Sequence, residues 1–331
     1  MGIDRKQKGA FLLVGALLAA ALAASLFIGK YPFTPAQVVD ILLGRPAEGR
    51  KVFYALRLSR TLMAGLSGFG LAMAGSVYQT IFKNPLADPD LIGVVKGANL
   101  GAAVAIVALG NRILPVAVCA FAGGLCAVAA VMALVRATRL SSTAVYILAG
   151  IVVSAVSEAL IMLLKFFADP DKELAAIEFW AMGSLGGVTS TKLLAVLPFF
   201  LVGLAGLCLL RRQIGLLSVS EEESRTLGVP VSAVRLAILA LTTLMVASII
   251  CITGRIAFLG LIAPHIARLV FRRSGFPTVL FSGLVGAVLL TLADCAARWA
   301  YAVELPISVV TTVVGVPFLI YFMCRREGAR L

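Results

Sequence analysis

The sequence predicts an all-α integral membrane protein of about ten transmembrane helices. Hydrophobic residues make up 61% of the 331 residues, charged residues make up 14%, and the mean hydropathy is +1.04, far above what a water-exposed surface allows. Apolar stretches of about 20 residues, long enough to cross a bilayer, recur along the whole chain. No segment is left for a soluble domain, so residues 1–331 are expected to form a single membrane domain.

Charged residues, prolines and glycines divide the apolar runs into ten predicted spans. The eighth run is short enough to cross only part of a bilayer. The first run follows three basic residues like a signal peptide, but it lacks a clear cleavage site and is interpreted as a retained span. The spans lie near residues 10–28, 61–82, 92–109, 113–135, 143–167, 193–210, 234–252, 256–270, 277–297 and 306–323.

The positions of lysine and arginine predict the orientation of the chain. With both termini in the cytoplasm, 17 of the 29 basic residues lie on cytoplasmic segments, and positive residues resist translocation. Half of the other basic residues lie between Lys30 and Arg60, in and beside a predicted outer amphipathic loop at about residues 30–56. This accumulation of cations is expected to face an anionic partner.

Several kinds of chemistry are excluded by the residue types. The chain has one histidine, His265, which rules out multi-histidine metal sites and means that any histidine-based hydrolase would have to rest on that single residue. It has no G-x-x-x-x-G-K-[ST] loop to hold ATP phosphates, and its six cysteines stand singly in apolar segments. We expect no catalytic residue, no metal site, no cofactor and no nucleic-acid partner, and we expect His265 to be a packing residue.

The segment 217–230, between spans 6 and 7, is predicted to form a short helix outside the membrane. Ser220 and Glu223 have the spacing of a capping box, neighbouring glutamates favour a helix start, and Gly228 marks the end. The helix is expected at about 221–227. Because capping signals report structure and not function, a solvated connector is the alternative interpretation.

Three arginines, Arg57, Arg60 and Arg298, are predicted at the outer ends of spans 2 and 9. Extension of their side chains to the lipid headgroups would account for them. Alternatively, they form a cationic surface that binds carboxylates of a docking protein, a task suited to the planar guanidinium group.

Span 5 carries polar residues on or near one helical face. These are Ser154, Ser157, Glu158 and Lys165, with the last two separated by two helical turns. Ionisable groups within a span usually face protein or water. They are therefore expected either to line a pathway or to support helix packing.

Several segments together resemble the permease family of ABC importers for ferric siderophores, haem and cobalamin. They run in the family's order and spacing from about residue 57 to 320. The segments are Arg57 to Arg60 (RLSR), Gln79, Asn84 to Pro89 (NPLADP), Gly93, Gly97-Ala98, Trp180 to Leu185 (WAMGSL), Glu221 to Gly228, Phe258 to Arg268 (FLGLIAPHIAR), Asp294 to Arg298 and Glu304 to Pro317 (ELPISVVTTVVGVP). The resemblance implies the type II ABC importer permease fold.

The resemblance also implies partners and a function. Members of the family form a homodimer around a central pathway, with two cytoplasmic subunits that bind ATP and magnesium and an external substrate-binding protein. The expected function is import of a ferric siderophore or haem through the bacterial cytoplasmic membrane. Cobalamin or another metal chelate is the alternative cargo.

Roles for individual residues follow from the same resemblance. Docking of the binding protein is assigned to Arg57, Arg60 and Arg298. Coupling to the ATPase is assigned to Ser220, Glu221, Glu222, Glu223, Arg225, Leu227 and Gly228. Lining of the pathway is assigned to Ser154, Ser157, Glu158 and Met162.

Two departures from the family pattern stand out. Ser59 occupies a position that is often proline, and Lys96 precedes Gly97-Ala98 where small polar residues are usual. Other classes of protein also fit parts of the sequence. An ion-driven secondary transporter could use Glu158 and Lys165 as a relay, whereas an intramembrane enzyme is disfavoured by the scarcity of histidine and clustered carboxylates.

Overall fold

The apolar runs form helices, because a helix satisfies its own backbone hydrogen bonds where no water is available. The structure, a computed structural model, describes residues 4–138, 142–219, 221–271, 275–299 and 304–327, which contain helices and loops and no β-strand. The helices are α1 (Arg5–Phe27), α2 (Pro35–Leu42), α3 (Arg50–Val52), α4 (Ser59–Ile81), α5 (Val94–Leu109), α6 (Ile113–Thr138), α7 (Thr143–Phe167), α8 (Ala175–Met182), α9 (Ser190–Leu209), α10 (Arg211–Leu216), α11 (Glu221–Thr226), α12 (Val231–Thr253), α13 (Leu259–Phe271), α14 (Phe276–Trp299) and α15 (Ile307–Glu327).

The ten predicted spans correspond in order to α1, α4, α5, α6, α7, α9, α12, α13, α14 and α15. Seven helices in the described ranges are long and apolar enough to cross a membrane, and the apolar helices within α5, α13 and α15 are shorter. With 13 residues, α13 is about 20 Å long, which is less than the hydrocarbon thickness of about 30 Å. The expectation of a short eighth span is confirmed.

The second span begins earlier than predicted. One turn of π-helix (Phe53–Leu58) joins α3 to α4, so that Arg50–Ile81 is a continuous helix. The prediction placed the start near residue 61 because arginine and lysine interrupt the apolar run, but both residues are good helix formers. The predicted amphipathic loop therefore contains the helix α2 and about the first two turns of this long helix. Helices α2, α8 and α10 were not predicted.

Small residues allow α4 to pack closely against two neighbours. A Cβ atom on Gly68 would collide with the backbone of Gly286 in α14, and one on Gly75 would collide with the backbone of Gly260 in α13. Such small residues bring helix backbones together in lipid, where no hydrophobic effect acts between spans. Most of α4 is consequently buried, as the small-residue spacing at Ala64, Gly68, Ala72 and Ser76 indicates.

Contacts between helix ends distinguish the two sides of the bundle. The end of α1 meets the end of α14 where Arg298 donates to Ser25, and we call this the arginine side. On the opposite side, Phe11 near the start of α1 packs against Phe271 and Phe281, with ring centroids 5.5 and 5.3 Å apart. Helices α1 and α14 therefore run in the same direction, and α13 runs opposite to them.

The pair of helices α10 and α11 lies on the opposite side. The loop before α9 passes Glu304 at Gly186, and the Ser184 amide at the end of α8 donates to Thr253 O at 2.7 Å. The start of α9 and the end of α12 are thus both on the arginine side. The chain between these helices must turn at the other side of the bundle.

Candidate functional site

Arg60 joins three segments on the arginine side. Its Nε and Nη2 donate to Asp294 Oδ1 of α14 at 3.0 and 2.8 Å. Its Nη1 donates to both carboxylate oxygens of Glu304, just before α15, at 3.0 and 2.8 Å. These contacts occupy most of the five N–H donors of a guanidinium group.

Arg57 and Arg298 bind the carboxyl end of α1. Arg298 Nη1 donates to Ser25 O at 3.1 Å and to Ile28 O at 2.6 Å. Arg57 donates to Ile28 O and, at 2.8 Å, to Tyr31 O. The last carbonyl groups of a helix have no partner within the helix, and positive charge there is favourable. The two arginines therefore fix the end of α1.

The carboxylate of Asp294 holds this arrangement together. Asp294 is 0% exposed, and it forms ion pairs with Arg60 at 2.8 Å and with Arg298 at 2.9 Å. Burial makes each charge costly unless it is paired. The three arginines and the two acids, Asp294 and Glu304, form what we call the arginine cluster.

The arginines predicted for docking thus lie together, but they differ in access. Arg57 and Arg298 are buried, and their guanidinium groups bind protein, so extension to lipid headgroups does not describe them. The Arg60 side chain is 12% exposed and that of Glu304 is 29% exposed. The Arg60–Glu304 pair is the part of the cluster that reaches the surface. A docking role for the three arginines stays a prediction.

The polar residues of α7 turn toward the chain's own interior. Ser154 lies against Gly93, and Ser157 is buried, with its Oγ donating to Val153 O at 2.8 Å. Glu158 forms an ion pair with Lys96 of α5. Met162, one helical turn beyond Glu158, is 58% exposed. Ser157 has the contacts of a packing residue, and a role of the four residues in lining a pathway stays a prediction.

Three ion pairs link the segments around α5 and α7. Ionisable groups inside a membrane protein generally pair with one another. A relay within α7 would suggest that Glu158 and Lys165 bind each other. Instead, Glu158 binds a residue of α5 and Lys165 binds a residue of α8. The pairs, which we call the ion-pair row, are Arg255 with Asp90 (3.0 Å between Nη2 and Oδ2), Lys96 with Glu158, and Lys165 with Glu178 of α8 (2.8 Å between Nζ and Oε1).

The ion-pair row borders two small cavities. One, of about 120 Å³, lies between α5, α7 and α8 and is lined by Lys96, Glu158, Lys165 and Arg255, among others. The other, of about 160 Å³, shares Arg255 and reaches Asp88 in the connection between α4 and α5. Burial raises the pKa of Asp88 to about 6, and the nearby Asp90 carboxylate adds to the rise. Paired charges of the ion-pair row therefore line both cavities, which are partly open.

A helix occupies the segment 221–227, at Glu221–Thr226. Ser224 is 1% exposed, and its Oγ donates to Leu216 O at 2.9 Å, which anchors the helix. Leu227 is 61% exposed. Gly228 has φ +78°, a left-handed conformation that favours glycine and reverses the chain. Ser220 and the side chains of Glu221, Glu222 and Arg225 lie outside the described residues, so the predicted capping box is not described.

Sequence reasoning assigned no role to the acids of the arginine cluster, and it did not pair Lys96 with Glu158. Asp294 and Glu304 begin two of the segments that carried the family resemblance. Lys96 was noted only as a departure from the family pattern. Charge balance was the available signal, because a cation within a span implies an anion within reach.

His265 is buried, with Nδ1 3.2 Å from Arg268 Nη2.

Known proteins share this architecture. A "Probable iron chelatin transport system permease protein" of Helicobacter pylori is 37% identical over 84% of this chain and 83% of its own length. The vitamin B12 import system permease protein BtuC of Escherichia coli O157:H7 is 35% identical over 95% of this chain and 94% of its own. A solved inward-facing metal-chelate type ABC transporter superposes with a TM-score of 0.86 and 32% identity, covering 96% of this chain and 99% of that one.

The helical bundle has its ten spans in the predicted order, and its architecture is that of a multi-span membrane permease of the ABC importer class. Residues 17–325 match the FecCD transport family. The chain belongs to that family.

Proposed function

We propose that this chain is the membrane-spanning subunit of an ATP-driven importer for an iron complex, either a ferric siderophore or haem. The observation that carries the proposal is its agreement with a metal-chelate type ABC transporter over 96% of the chain. Relatives named for iron chelatin and for vitamin B12 have similar identities, 37% and 35%. Cobalamin is therefore the alternative cargo to be compared in the experiment.

The working importer contains two copies of this chain, two ATPase subunits and a substrate-binding protein. It lies in the bacterial cytoplasmic membrane, with both termini and α11 in the cytoplasm and the arginine side outside. The basic residues Arg5, Lys6 and Lys8 at the start of α1 support this orientation, because positive residues resist translocation. ATP and magnesium bind to the ATPase subunits.

Docking of the binding protein uses the Arg60 end of the arginine cluster. A guanidinium group binds carboxylates through paired, charge-assisted hydrogen bonds. Arg60 and Glu304 reach the surface, whereas Arg57 and Arg298 are buried against α1. We assign Arg60 to direct contact with acidic residues of the binding protein. Arg57 and Arg298 hold the surface around Arg60 in place.

Coupling to the ATPase uses α11. Its anchored Ser224 and its exposed Leu227 give a rigid element with an apolar tip. An exposed apolar side chain on a short helix suits insertion into a groove of a partner protein. Closure of the ATPase dimer then pushes on α11 and on the spans α9 and α12 beside it. This movement switches the side to which the pathway opens.

The pathway lies where the ion-pair row approaches the second copy of the chain. Side chains of the row are about a quarter to a half exposed, from 26% for Asp90 to 49% for Glu178. The exposed face of α7, with Met162, borders the row. In this arrangement Glu158 and Ser154 lie at the edge of the pathway, and Ser157 supports α7 from behind.

Reconstitution in liposomes tests the proposal. The chain is co-expressed with the ATPase and binding protein encoded beside it, and uptake of labelled ferric chelate, haem and cobalamin is measured. We expect uptake only with ATP and the binding protein, and selectivity for an iron complex. Uptake by this chain alone, driven by an ion gradient, would show a secondary transporter instead. Selective uptake of cobalamin would overturn the cargo assignment.

Cysteine labelling tests the orientation. The exposed native cysteines, Cys126 and Cys324, are replaced, and Glu222→Cys is compared with Asp40→Cys in α2 on the arginine side. We expect an impermeant thiol reagent added to intact cells to label position 40 and not position 222. Labelling at 222 would exclude a cytoplasmic α11.

A further inference from the structure

A polar cavity on the side of the bundle opposite the arginine cluster has no role in the proposed importer mechanism. It lies between α4, α13 and α14 and has a volume of about 300 Å³, far more than the 10–15 Å³ that one water molecule needs. Its lining residues include Gln79, Thr80, Lys83, Arg268 and Thr278. Among its described lining residues, two are basic and none is acidic. It shares no lining residue with the cavities beside the ion-pair row.

Arg268 is positioned in this cavity by residues of two helices. Its Nη1 donates to Gln79 Oε1 of α4, and its Nη2 lies 3.2 Å from His265 Nδ1. Gln79 is itself held, because its Nε2 donates to Gly260 O at 3.1 Å. Gln79 and His265 are both buried. The guanidinium group is thus pre-organised by buried neighbours, which lowers the entropic cost of binding an anion.

Lys83 supplies the second cation in an unusual backbone conformation. It has φ +50°, in the left-handed region that residues with a side chain seldom adopt. Lys83 directly follows Phe82, the C-cap residue of α4, and a left-handed residue at this position is a common helix ending. A positive charge at the end of α4 is also favourable to the helix. This favourable effect on the helix does not explain why Lys83 and Arg268 line the same cavity.

Exposed apolar residues are sequence neighbours of two lining residues of the cavity, Pro85 and Arg268. Leu86, next to the lining residue Pro85, is 65% exposed, and Leu269 and Val270 follow Arg268 and are also exposed. Exposed leucine and valine close in sequence to basic residues are typical of the level where hydrocarbon meets lipid headgroups. A ligand at this level can extend acyl chains over the apolar residues.

We propose that this cavity binds a phosphate group, carried either by an anionic phospholipid headgroup or by a free phosphate ion. Arginine and lysine are the residues that bind phosphate oxygens most strongly, and basic pockets between transmembrane helices bind anionic headgroups. Hydroxyl and amide groups of Thr80, Thr278 and Gln79 line the same space.

Lipid titration of the purified full-length chain in detergent tests this site. Bound phosphatidylglycerol is counted by native mass spectrometry, with phosphatidylcholine and inorganic phosphate in parallel arms. We expect phosphatidylglycerol to bind more tightly than phosphatidylcholine and Lys83→Gln to weaken it by about fivefold, the effect of one basic residue near a charged surface. Lys6→Gln, which removes an exposed lysine of α1, is the matched control.

The arms separate the two sources of phosphate. Competition by millimolar inorganic phosphate supports the site with free phosphate as its ligand, and no competition supports the lipid headgroup. Equal binding of both lipids, or equal effects of Lys83→Gln and Lys6→Gln, would overturn the proposal. Because no ATPase or binding protein is present, these results are independent of the proposed importer mechanism.

Discussion

Arg60 and Glu304, which are 244 residues apart in the chain, form an ion pair in which Nη1 donates to both carboxylate oxygens at 3.0 and 2.8 Å. Together with Asp294, Glu304 occupies most of the donors of Arg60. A carboxylate of a docking protein must therefore displace Glu304 before it can bind Arg60 through paired hydrogen bonds. Glu304 is an internal competitor for the proposed docking residue.

Neutralising this competitor is expected to strengthen docking. Glu304→Gln should tighten the binding protein's affinity by up to about fivefold, because a partly exposed ion pair contributes at most about 1 kcal/mol. Affinity for immobilised binding protein measures the effect, with Asp40→Asn, in the partly exposed pair with Arg45, as the control. Weaker docking of Glu304→Gln would mean that Glu304 itself contacts the binding protein.

Loss of the buried acid should instead destabilise the protein. Asp294→Asn leaves Arg60 and Arg298 without their shared carboxylate, and breaking a buried ion pair costs about 3–5 kcal/mol. A clear fall in the melting temperature of the purified protein is expected. Asp40→Asn should change it little, because exposed ion pairs contribute about 0–1 kcal/mol. An unchanged melting temperature in Asp294→Asn would argue against the arginine cluster as a structural unit.

The Lys96–Glu158 pair should show energetic coupling between α5 and α7. Lys96→Glu and Glu158→Lys, made singly, place like charges together and should each reduce uptake several-fold. The double variant restores an ion pair, and contacting residues typically couple by about 0.5–3 kcal/mol. Uptake in liposomes and melting temperature are measured for all four proteins. If the loss of uptake in the double variant equals the sum of the losses in the two single variants, Lys96 and Glu158 act only as two separate charges.

The glycine crossing of α4 and α14 should not tolerate one added carbon. In Gly286→Ala the new Cβ would overlap Ala72 and the backbone of Gly68, and overpacking of this kind costs about 1–3 kcal/mol. The melting temperature should fall. Gly15→Ala in α1 is the matched control, because its Cβ meets no atom within 4 Å. Equal melting temperatures in the two variants would contradict close packing at the crossing.

Apolar run length was sufficient to predict the spans. The predicted span at 143–167 coincides with α7 (Thr143–Phe167), because polar residues bound the apolar run at Ser142 and at Asp169-Pro170. The error at Arg50 arose where basic residues continue a helix beyond its apolar part. Hydropathy identifies membrane segments, and it cannot show how far a helix extends beyond them.

Patterns within single segments of the sequence could not identify the partners of the charged residues. Helical spacing places Ser154, Ser157 and Glu158 on one side of α7, but it does not tell whether that side meets a neighbouring helix or open space. In the structure Ser154 lies against Gly93 and Glu158 pairs with Lys96, contacts that helical spacing alone does not reveal. Similarly, the Arg60–Glu304 contact depends on how the first and last thirds of the chain meet.

The glycine crossings of α4 limit how this bundle can change shape. Gly68 against Gly286 and Gly75 against Gly260 leave no gap for side chains, so sliding α4 along either neighbour would drive its larger residues into backbone. We therefore expect α4, α13 and α14 to travel as one block during transport. We expect opening and closing to come from helices outside this block, such as α7, whose ion pairs go to α5 and α8 and not to α4, α13 or α14.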